Sequence, residues 1–194
     1  MYYFTSDSHF TLVDKNDTIE RDFRPFKSVK EMNKKIIKTW NKQAGKNDII
    51  YHLGDFANFN KFDDKTFKTT LGFVKKIKAK VVLILGNNEE YIIHYAYNDD
   101  YGTFEKLLLD LGFWKVVRTG MYLDFGGEKF YLNHYPSKHK DGVINLFGHI
   151  HSTCLVKRYG FNVGVDNNYF RLFSEEQILK LVHRIPLFDE NVYD

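Results

Sequence analysis

The sequence predicts a layered α/β domain, and three observations support this expectation. Short apolar runs alternate with amphipathic, helix-like segments through the first half of the chain, which is typical of βα units. The second half consists mostly of short strand-like runs separated by turns that contain glycine. At 194 residues the chain is long enough for one domain with a sizeable core, so we expect a single domain over residues 1–194.

The first half of the chain carries the clearest helix signals. Ser28 is placed to cap a helix, with Glu31 at the reciprocal position of a capping box, and Gly112 ends a later helix. In the helix predicted at 67–78, the apolar residues recur every three or four positions, which indicates one buried face. The elements predicted in this half are strands at 2–5, 48–53 and 81–85, and helices at 29–43, 67–78 and 101–111.

The second half is predicted to be mainly antiparallel β-structure. Gly126-Gly127 is a two-residue hairpin signal between two strand-like runs. Ser174 is placed to cap a final helix that ends near residue 182. The strands predicted in this half are 115–118, 121–125, 128–132, 143–147 and 161–165.

Composition and charge exclude several classes of protein. Apolar residues make up 43% and charged residues 27%, the balance of an ordinary globular domain. The net charge of +3 comes with scattered lysines, so nucleic acid stays open as a substrate but is not indicated. Cys154 is the only cysteine, which excludes an internal disulfide and suits a reducing cytoplasm. No apolar run approaches the roughly 18 residues of a membrane span, so we expect a cytoplasmic protein without membrane contact.

One pattern recurs along the chain: an apolar or aromatic run is followed, within a residue or two, by a potential metal ligand. Because sites in α/β sheets form beyond the carboxyl ends of strands, we expect five such ends to converge on one place. A glycine before three of the ligands permits a sharp turn away from the strand. The seven candidate ligands are Asp7, His9, Asp55, Asn87, His134, His149 and His151.

The residue types indicate the chemistry of this site. Seven ligands are too many for one tetrahedral zinc ion, but they suit two ions that share a carboxylate. Imidazole and carboxylate ligands without thiolate suit manganese, iron, zinc or nickel, and among these we expect manganese. Two divalent ions carry a charge of +4, of which Asp7 and Asp55 offset only two units, so the site would attract an anionic phosphate. Such a pair of ions can activate water for attack at phosphorus.

The ligands fall within five motifs: Asp7-Ser8-His9, Gly54-Asp55, Gly86-Asn87-Asn88-Glu89, Asn133-His134 and Gly148-His149-Ile150-His151. In this order they resemble the motif set of the calcineurin-like metallophosphoesterases, in particular small bacterial and phage members, over residues 4 to about 151. The resemblance implies an α/β fold with a two-sheet β-sandwich flanked by helices, in an αββα arrangement. It also implies a phosphoric ester hydrolase that uses a hydroxide held by a dinuclear metal centre.

The resemblance also assigns the ligands to the two ions. The first ion would be held by Asp7, His9, Asp55 and His151, and the second by Asn87, His134 and His149, with Asp55 as the bridge. The sequence departs from the family at Asn88, where a histidine that protonates the leaving group usually stands. An amide cannot act as a general acid, so the departure leaves the source of that proton open.

Four further residues are candidates for roles at the site. Arg24 lies in an Arg-Pro-Phe segment, where it could contact phosphate or could close the loop on an acid; both readings stay open. His94 and His139 lie near ligand motifs and could replace the missing acid. His52 lies within a strand, where we expect it to pack or to support a ligand.

These observations predict a phosphodiesterase rather than a monoesterase. We expect a small phosphodiester or a nucleotide-like molecule as the substrate, while the oligomeric state stays open. The alternative is a catalytically weak or inactive interaction module on the same fold, although such a module has no need for a complete ligand set.

Overall fold

The computed structural model describes residues 1–12, 24–58 and 64–187, with the backbone alone for 64–67. These ranges form two five-stranded sheets and the helices that pack against them. The strands are β1 Tyr2–Thr5, β2 Ile49–Leu53, β3 Lys80–Ile84, β4 Lys115–Val117, β5 Met121–Phe125, β6 Glu128–Leu132, β7 Ile144–Phe147, β8 Val156–Lys157, β9 Gly160–Asn162 and β10 Phe173–Ser174. The helices are α1 Val29–Gln43, α2 Asp64–Leu71, α3 Asn87–Tyr97, α4 Tyr101–Leu111 and α5 Glu175–Val182, with 3₁₀ turns at Gly72–Lys76, Pro136–Lys138 and Val165–Asn168.

The first sheet has the order β10-β1-β2-β3-β4, in which β1 to β4 run parallel and β10 is antiparallel to β1. Its register pairs Thr5 with His52, and Leu53 with Ile84. The carboxyl ends of β1, β2 and β3 therefore lie at one edge of the sheet, and the segments that follow them are neighbours.

The second sheet has the order β5-β6-β7-β9-β8 and is mixed. The predicted hairpin joins β5 to β6 as an antiparallel pair, but β6, β7 and β9 run parallel, so the expectation of mainly antiparallel strands was wrong here. Leu132 pairs with Leu146, which places the segments after β6 and β7 side by side. A bridge between Ser6 and Gly164 connects this edge to the end of β1.

Alternate residues of β3 pack into different apolar clusters on the two faces of the first sheet. Val82 and Ile84 lie in an apolar cluster between the two sheets, together with Phe130 and Leu146 from β6 and β7. The intervening residues of β3 face a second cluster, which contains buried side chains of α1, α3 and α4. The central strands are thus buried on both faces, as a continuous apolar run predicts for parallel strands. The expected fold class, a two-sheet α/β sandwich flanked by helices, is confirmed.

Where the predicted helix boundaries agree with the structure, the predicted capping residues account for them. Ser28 Oγ accepts a hydrogen bond from the Glu31 N–H at the start of α1, and Ser174 Oγ accepts from the Gln177 N–H at the start of α5. Gly112 ends α4 in the left-handed region with a φ of 113°. None of the described helices is both long and apolar enough to cross a membrane.

Other predicted boundaries were wrong. The helix expected at 67–78 is α2 at Asp64–Leu71, followed by a 3₁₀ turn that begins at Gly72, since glycine favours the change of helix type. The strand expected at 161–165 is shorter, and the two-residue strands β8 and β10 were not expected. Helix α3 was not predicted, and its first residues belong to the motif Gly86-Asn87-Asn88-Glu89.

Candidate metal centre

Backbone hydrogen bonds join the segments that follow four strands. The Asp7 N–H donates to Gly54 O at 3.0 Å, which couples the loops after β1 and β2. The Gly148 N–H donates to His134 O at 3.0 Å, which couples the loops after β6 and β7. The His149 N–H donates to both carboxylate oxygens of Asp7, at 3.0 and 3.1 Å, and so connects the two pairs of loops. The predicted convergence of strand ends is therefore present at the edge where the two sheets meet.

The ligand backbone is unusual in a way that sequence patterns do not reveal. Non-glycine residues seldom adopt a positive φ, and each such residue costs about 1–3 kcal/mol in strain. Five of the seven candidate ligands do so: Asp7 (φ 55°), His9 (47°), Asp55 (55°), His149 (72°) and His151 (47°). Strain concentrated at one group of polar residues indicates a functional site.

One set of candidate ligands surrounds His9. The ligand atoms of Asp7, His9 and His151 all lie within 4.8 Å of one another. His9 Nε2 is 3.9 Å from Asp7 Oδ1 and 3.7 Å from Asp55 Oδ2. The His9 and His151 rings stack with their centroids 5.0 Å apart. We refer to Asp7, His9 and His151 as the first set.

A second set surrounds Asn87. His134 Nε2 and His149 Nδ1 each lie 2.9 Å from Asn87 Oδ1, so three potential ligand atoms converge on one point. His134 Nε2 is also 3.6 Å from Asp55 Oδ1. We refer to Asn87, His134 and His149 as the second set. Asp55 thus presents one oxygen to each set.

The donor atoms of both sets fit a metal ion. His9 Nε2 is buried and has no hydrogen-bond partner among the described residues. His134 Nδ1 lies 2.7 Å from Leu53 O, and because a carbonyl can only accept, Nδ1 carries the proton. Nε2 is therefore the ring nitrogen that faces the Asp55 and Asn87 oxygens. A metal ion placed between these atoms would be bound by all three.

The electrostatics of the chain alone lead to the same conclusion. Burial, followed by the neighbouring carboxylates of Glu89 and Asp7, raises the pKa of Asp55 well above its ordinary value. Burial, assisted by the charge of Arg24, lowers the pKa of His9 well below its ordinary value. Burial also lowers the pKa of His149. A bound cation would stabilise both the ionised carboxylate and the neutral imidazoles.

Glu89 fixes the loops that carry two of the ligands. Its carboxylate is fully buried and accepts the backbone N–H groups of Asp55, Phe56 and Gly86, each at 2.9 Å. Gly86 must be glycine for steric reasons, since a Cβ there would lie 2.5 Å from Asp55 Oδ1. The loops after β2 and β3 are therefore held at contact distance.

Asn88 stands at the position of the usual general acid. It contacts two candidate ligands, His9 and Asp55. Its side-chain amide lies 3.1 Å from His9 Nδ1, and its backbone N–H donates to Asp55 Oδ1 at 2.9 Å. The amide can therefore orient the His9 ring, which turns Nε2 toward the carboxylates. It cannot donate a proton to a leaving group.

The contacts of Arg24 bear on the two readings that the sequence leaves open. Arg24 is buried, and its guanidinium donates to both oxygens of Asp166, at 2.8 and 3.0 Å. It also donates to the backbone carbonyls of Asp7 and Ser8, at 2.6 and 3.0 Å. The alternative reading, closure of the loop on an acid, agrees with these contacts. The neighbouring residues 21–23 lie outside the described part of the chain.

The two histidines considered as substitute acids have partners away from the ligands. His94 is exposed on α3 and pairs with Asp99, with Nδ1 3.2 Å from Oδ1. His139 stacks on Tyr159 at 3.8 Å between ring centroids, and its Nε2 lies 3.4 Å from Asp141. Neither residue has a described contact with the two sets, so the geometry gives no support to either as the acid.

Two supporting residues behind the ligands emerge from the structure. His52 Nε2 donates to Ser8 Oγ at 2.9 Å, and the Ser8 hydroxyl donates to Phe56 O at 2.8 Å. Burial lowers the pKa of His52 to about 3, so the ring stays neutral. Asp166 was not expected at all, although it comes directly after the strand predicted at 161–165, much as the candidate ligands follow their strands.

Comparison with known proteins identifies the family. The sequence profile of the calcineurin-like phosphoesterases matches residues 2–184, so the chain belongs to this family of metal-dependent phosphoester hydrolases. The chain is 28% identical to the uncharacterized protein MJ1445 of Methanocaldococcus jannaschii, over 94% of this chain and 91% of that one. It is 25% identical to the Gene 66 protein of Mycobacterium phage L5, over 94% of each chain.

A solved structure agrees with the fold. The protein of unknown function AQ665 from Aquifex aeolicus superimposes with a TM-score of 0.64 at 24% identity, over 93% of this chain and 98% of that one. At this identity the likeness concerns the fold alone. The resemblance first indicated by the five motifs is confirmed by the family match.

Proposed function

We propose that the chain is a phosphodiesterase that hydrolyses small or nucleotide-like phosphodiesters at a dinuclear metal centre. The observation that carries the proposal is the position of Asp55, whose two oxygens face His9 and His134 at 3.7 and 3.6 Å. A carboxylate between two sets of ligands suits a bridge between two ions. We propose Asp7, His9, Asp55 and His151 for the first ion, and Asn87, His134, His149 and the same Asp55 for the second.

Manganese is the proposed native ion, with iron, zinc and nickel as alternatives. Two such ions, when bound, supply Lewis acidity that activates water and stabilises charge on the phosphoryl oxygens. The residues of the chain hold the donor atoms in place, since burial of Asp7, Asp55 and His134 keeps competing water away from them.

Tyr135 connects the second set to Glu90. The Tyr135 hydroxyl donates to Glu90 at 2.6 Å, and the Tyr135 ring packs against His149 with centroids 5.0 Å apart. Tyr135 therefore holds His149 against α3, which carries both Glu90 and Asn87.

The alternative, an inactive interaction module, is favoured by one observation only. Asn88 stands where the family's acid usually stands, and the described residues near the ligands offer no clear replacement. An enzyme can still cleave esters whose leaving group departs without a proton. The complete ligand set and its strained backbone support the enzyme, because a module has no use for either.

A substrate panel tests the proposal. Manganese-loaded protein would be assayed with bis-p-nitrophenyl phosphate, p-nitrophenyl phosphate and 2′,3′-cyclic and 3′,5′-cyclic nucleotides, with bound metal measured in the same sample. We expect faster cleavage of diesters than of the monoester. If no ester is hydrolysed while two ions are bound, the interaction module replaces the enzyme. A faster rate with the monoester would reject the diester preference alone.

A further inference from the structure

Arg24 and Asp166 form a buried charge pair beside the first set. Arg24 Nε and Nη2 donate to the two Asp166 oxygens, at 2.8 and 3.0 Å. The Arg24 side chain is fully buried and that of Asp166 is 7% exposed. The Phe170 ring lies over the guanidinium, with its centroid 5.8 Å from Cζ. A bidentate pair in such surroundings has a fixed geometry and little screening by water.

The pair reaches the first set from two directions. Arg24 Nη2 donates to Asp7 O at 2.6 Å, and Nη1 donates to Ser8 O at 3.0 Å, so the guanidinium holds the backbone between Asp7 and His9. On the other side, His151 Nδ1 donates to Asp166 Oδ2 at 3.3 Å. The same Asp166 oxygen also accepts from Arg24 Nη2. The side chains of Asp166 and Arg24 therefore connect His151 to the backbone of Asp7.

The second set is supported by different groups. His134 is oriented by its Nδ1–H bond to Leu53 O, at 2.7 Å. Asn87 is the first residue of α3, whose start is fixed by the bond from the Gly86 N–H to Glu89. None of the described contacts of Arg24 or Asp166 is with His134, Asn87 or His149.

We infer that Arg24 and Asp166 are positioning residues that set the affinity of the first set for its ion and leave the second set nearly unaffected. The inference rests on the dinuclear centre proposed above. Asp166 fixes the proton of His151 on Nδ1, so that Nε2 is the ring nitrogen that would bind the ion. Arg24 neutralises Asp166 and fixes the carbonyl of Asp7, a residue with a left-handed backbone.

Calorimetric titration of metal-free protein with Mn²⁺ tests this selectivity. The wild type should bind two ions per chain. Asp166→Asn keeps the shape of the side chain but loses its charge and at least one of the three hydrogen bonds it accepts. Partners of metal-bound histidines typically contribute about 10–100-fold to affinity, so one ion should bind that much more weakly while the other keeps its affinity.

Arg24 variants provide the conservative comparison. Arg24→Met removes the charge and every donor, so it should weaken the same ion as Asp166→Asn does. Arg24→Lys keeps the charge without the planar fork and should recover part of that affinity. If Arg24→Met does not fold because Asp166 is left unpaired, Arg24→Lys and Asp166→Asn together still decide the question.

Asp48→Asn is a matched control. Asp48 accepts the Gly45 N–H at 2.8 Å and the N-terminal ammonium at 3.1 Å, away from all ligands. This variant should keep both affinities even if its stability falls. Equal weakening of both ions in Asp166→Asn, or no weakening of either, would overturn the inference. A wild type that binds at most one ion would instead contradict the dinuclear centre itself.

Discussion

The Asp55 N–H donates to the buried Glu89 carboxylate at 2.9 Å, so the proposed bridging ligand is held through its backbone by the last residue of another motif. The same carboxylate also accepts from Phe56 and Gly86. The pKa of Glu89 is raised, because the effect of burial exceeds the opposing effect of the three N–H donors. Asp55 is thereby positioned by a residue that is itself no candidate ligand.

Glu89→Gln should destabilise the metal-free protein. The amide has one acceptor oxygen, so at least one of the N–H groups of Asp55, Phe56 and Gly86 loses its partner in the interior. An unsatisfied buried donor costs about 1–3 kcal/mol, and denaturant unfolding should show a loss of that size in the free energy of unfolding. Glu31→Gln, at the exposed start of α1, is the control and should change much less. Equal effects of the two variants would argue against the role of Glu89.

Metal removal should lower stability, and Asp55 should govern both ions. Elemental analysis of wild type reconstituted with manganese should approach two ions per chain. Ions at about 100 times their dissociation constant would each raise the free energy of unfolding by about 2.7 kcal/mol, so a chelator should lower the melting temperature. Asp55→Asn should lose both ions and this response, whereas Asp124→Asn, exposed on β5, should keep them. One ion retained at full occupancy by Asp55→Asn would contradict the bridge.

Asn88 should make the rate depend strongly on the leaving group. A positioned general acid contributes about 10²–10⁴-fold, and Asn88 cannot supply this. We therefore expect measurable cleavage of bis-p-nitrophenyl phosphate, whose leaving group departs as an anion, and much slower cleavage of alkyl diesters. Asn88→His should raise the rate with alkyl diesters more than the rate with the nitrophenyl ester.

Three further variants sharpen this test, one at Asn88 and two at the histidines considered as substitute acids. Because the Asn88 amide also contacts His9, Asn88→Ala should weaken metal binding as well, which the titration used for Asp166 would detect. Brisk cleavage of alkyl diesters by the wild type would mean that another group is the acid. His94→Ala and His139→Ala would then identify it by a selective loss with the poor leaving group, although the contacts of both residues argue against them.

His52 should make the stability of the metal-free protein depend on pH. Its pKa is about 3 in the folded chain and about 6.5 when unfolded, so only the unfolded chain takes up this proton between those values. Its contribution is fully present above pH 6.5 and is lost as the pH falls toward 3. Between these limits wild type should lose stability faster than His52→Gln, by about 1.4 kcal/mol per pH unit. Parallel pH profiles of the two proteins would contradict a neutral, buried His52.

Sequence patterns predicted the elements whose boundaries are set locally. Ser28 and Ser174 cap their helices through their own side chains, and the glycine pair after Phe125 closes its hairpin, so short stretches contain the whole signal. The parallel pairing of β6 with β7 was not predictable in this way, since it depends on contacts between distant segments. Helix α3 was missed because one short motif serves as both ligand and helix start.

The candidate ligands were predicted because each follows an apolar strand, but their support was not. Arg24 and Asp166 are 142 residues apart, and nothing local in either segment indicates the other. The chemistry of the arginine left phosphate and an acid as alternative partners, and in the buried site its donors contact Asp166 and backbone carbonyls. The left-handed backbone of the ligands likewise follows from the way the loops meet, and no residue type in the motifs signals it.

The left-handed backbone of the candidate ligands predicts which part of the metal-free protein opens first. Five residues, each with strain of about 1–3 kcal/mol, lie in the loops that carry the candidate ligands, and none of the described strands contains a non-glycine residue with positive φ. Without ions, these loops should open well before the sheets do. Amide exchange of metal-free protein should therefore be fast at Asp7, Asp55 and His149 and slow in β2 and β3. Bound metal would then stabilise mainly the ligand loops, because the sheets are already stable without it.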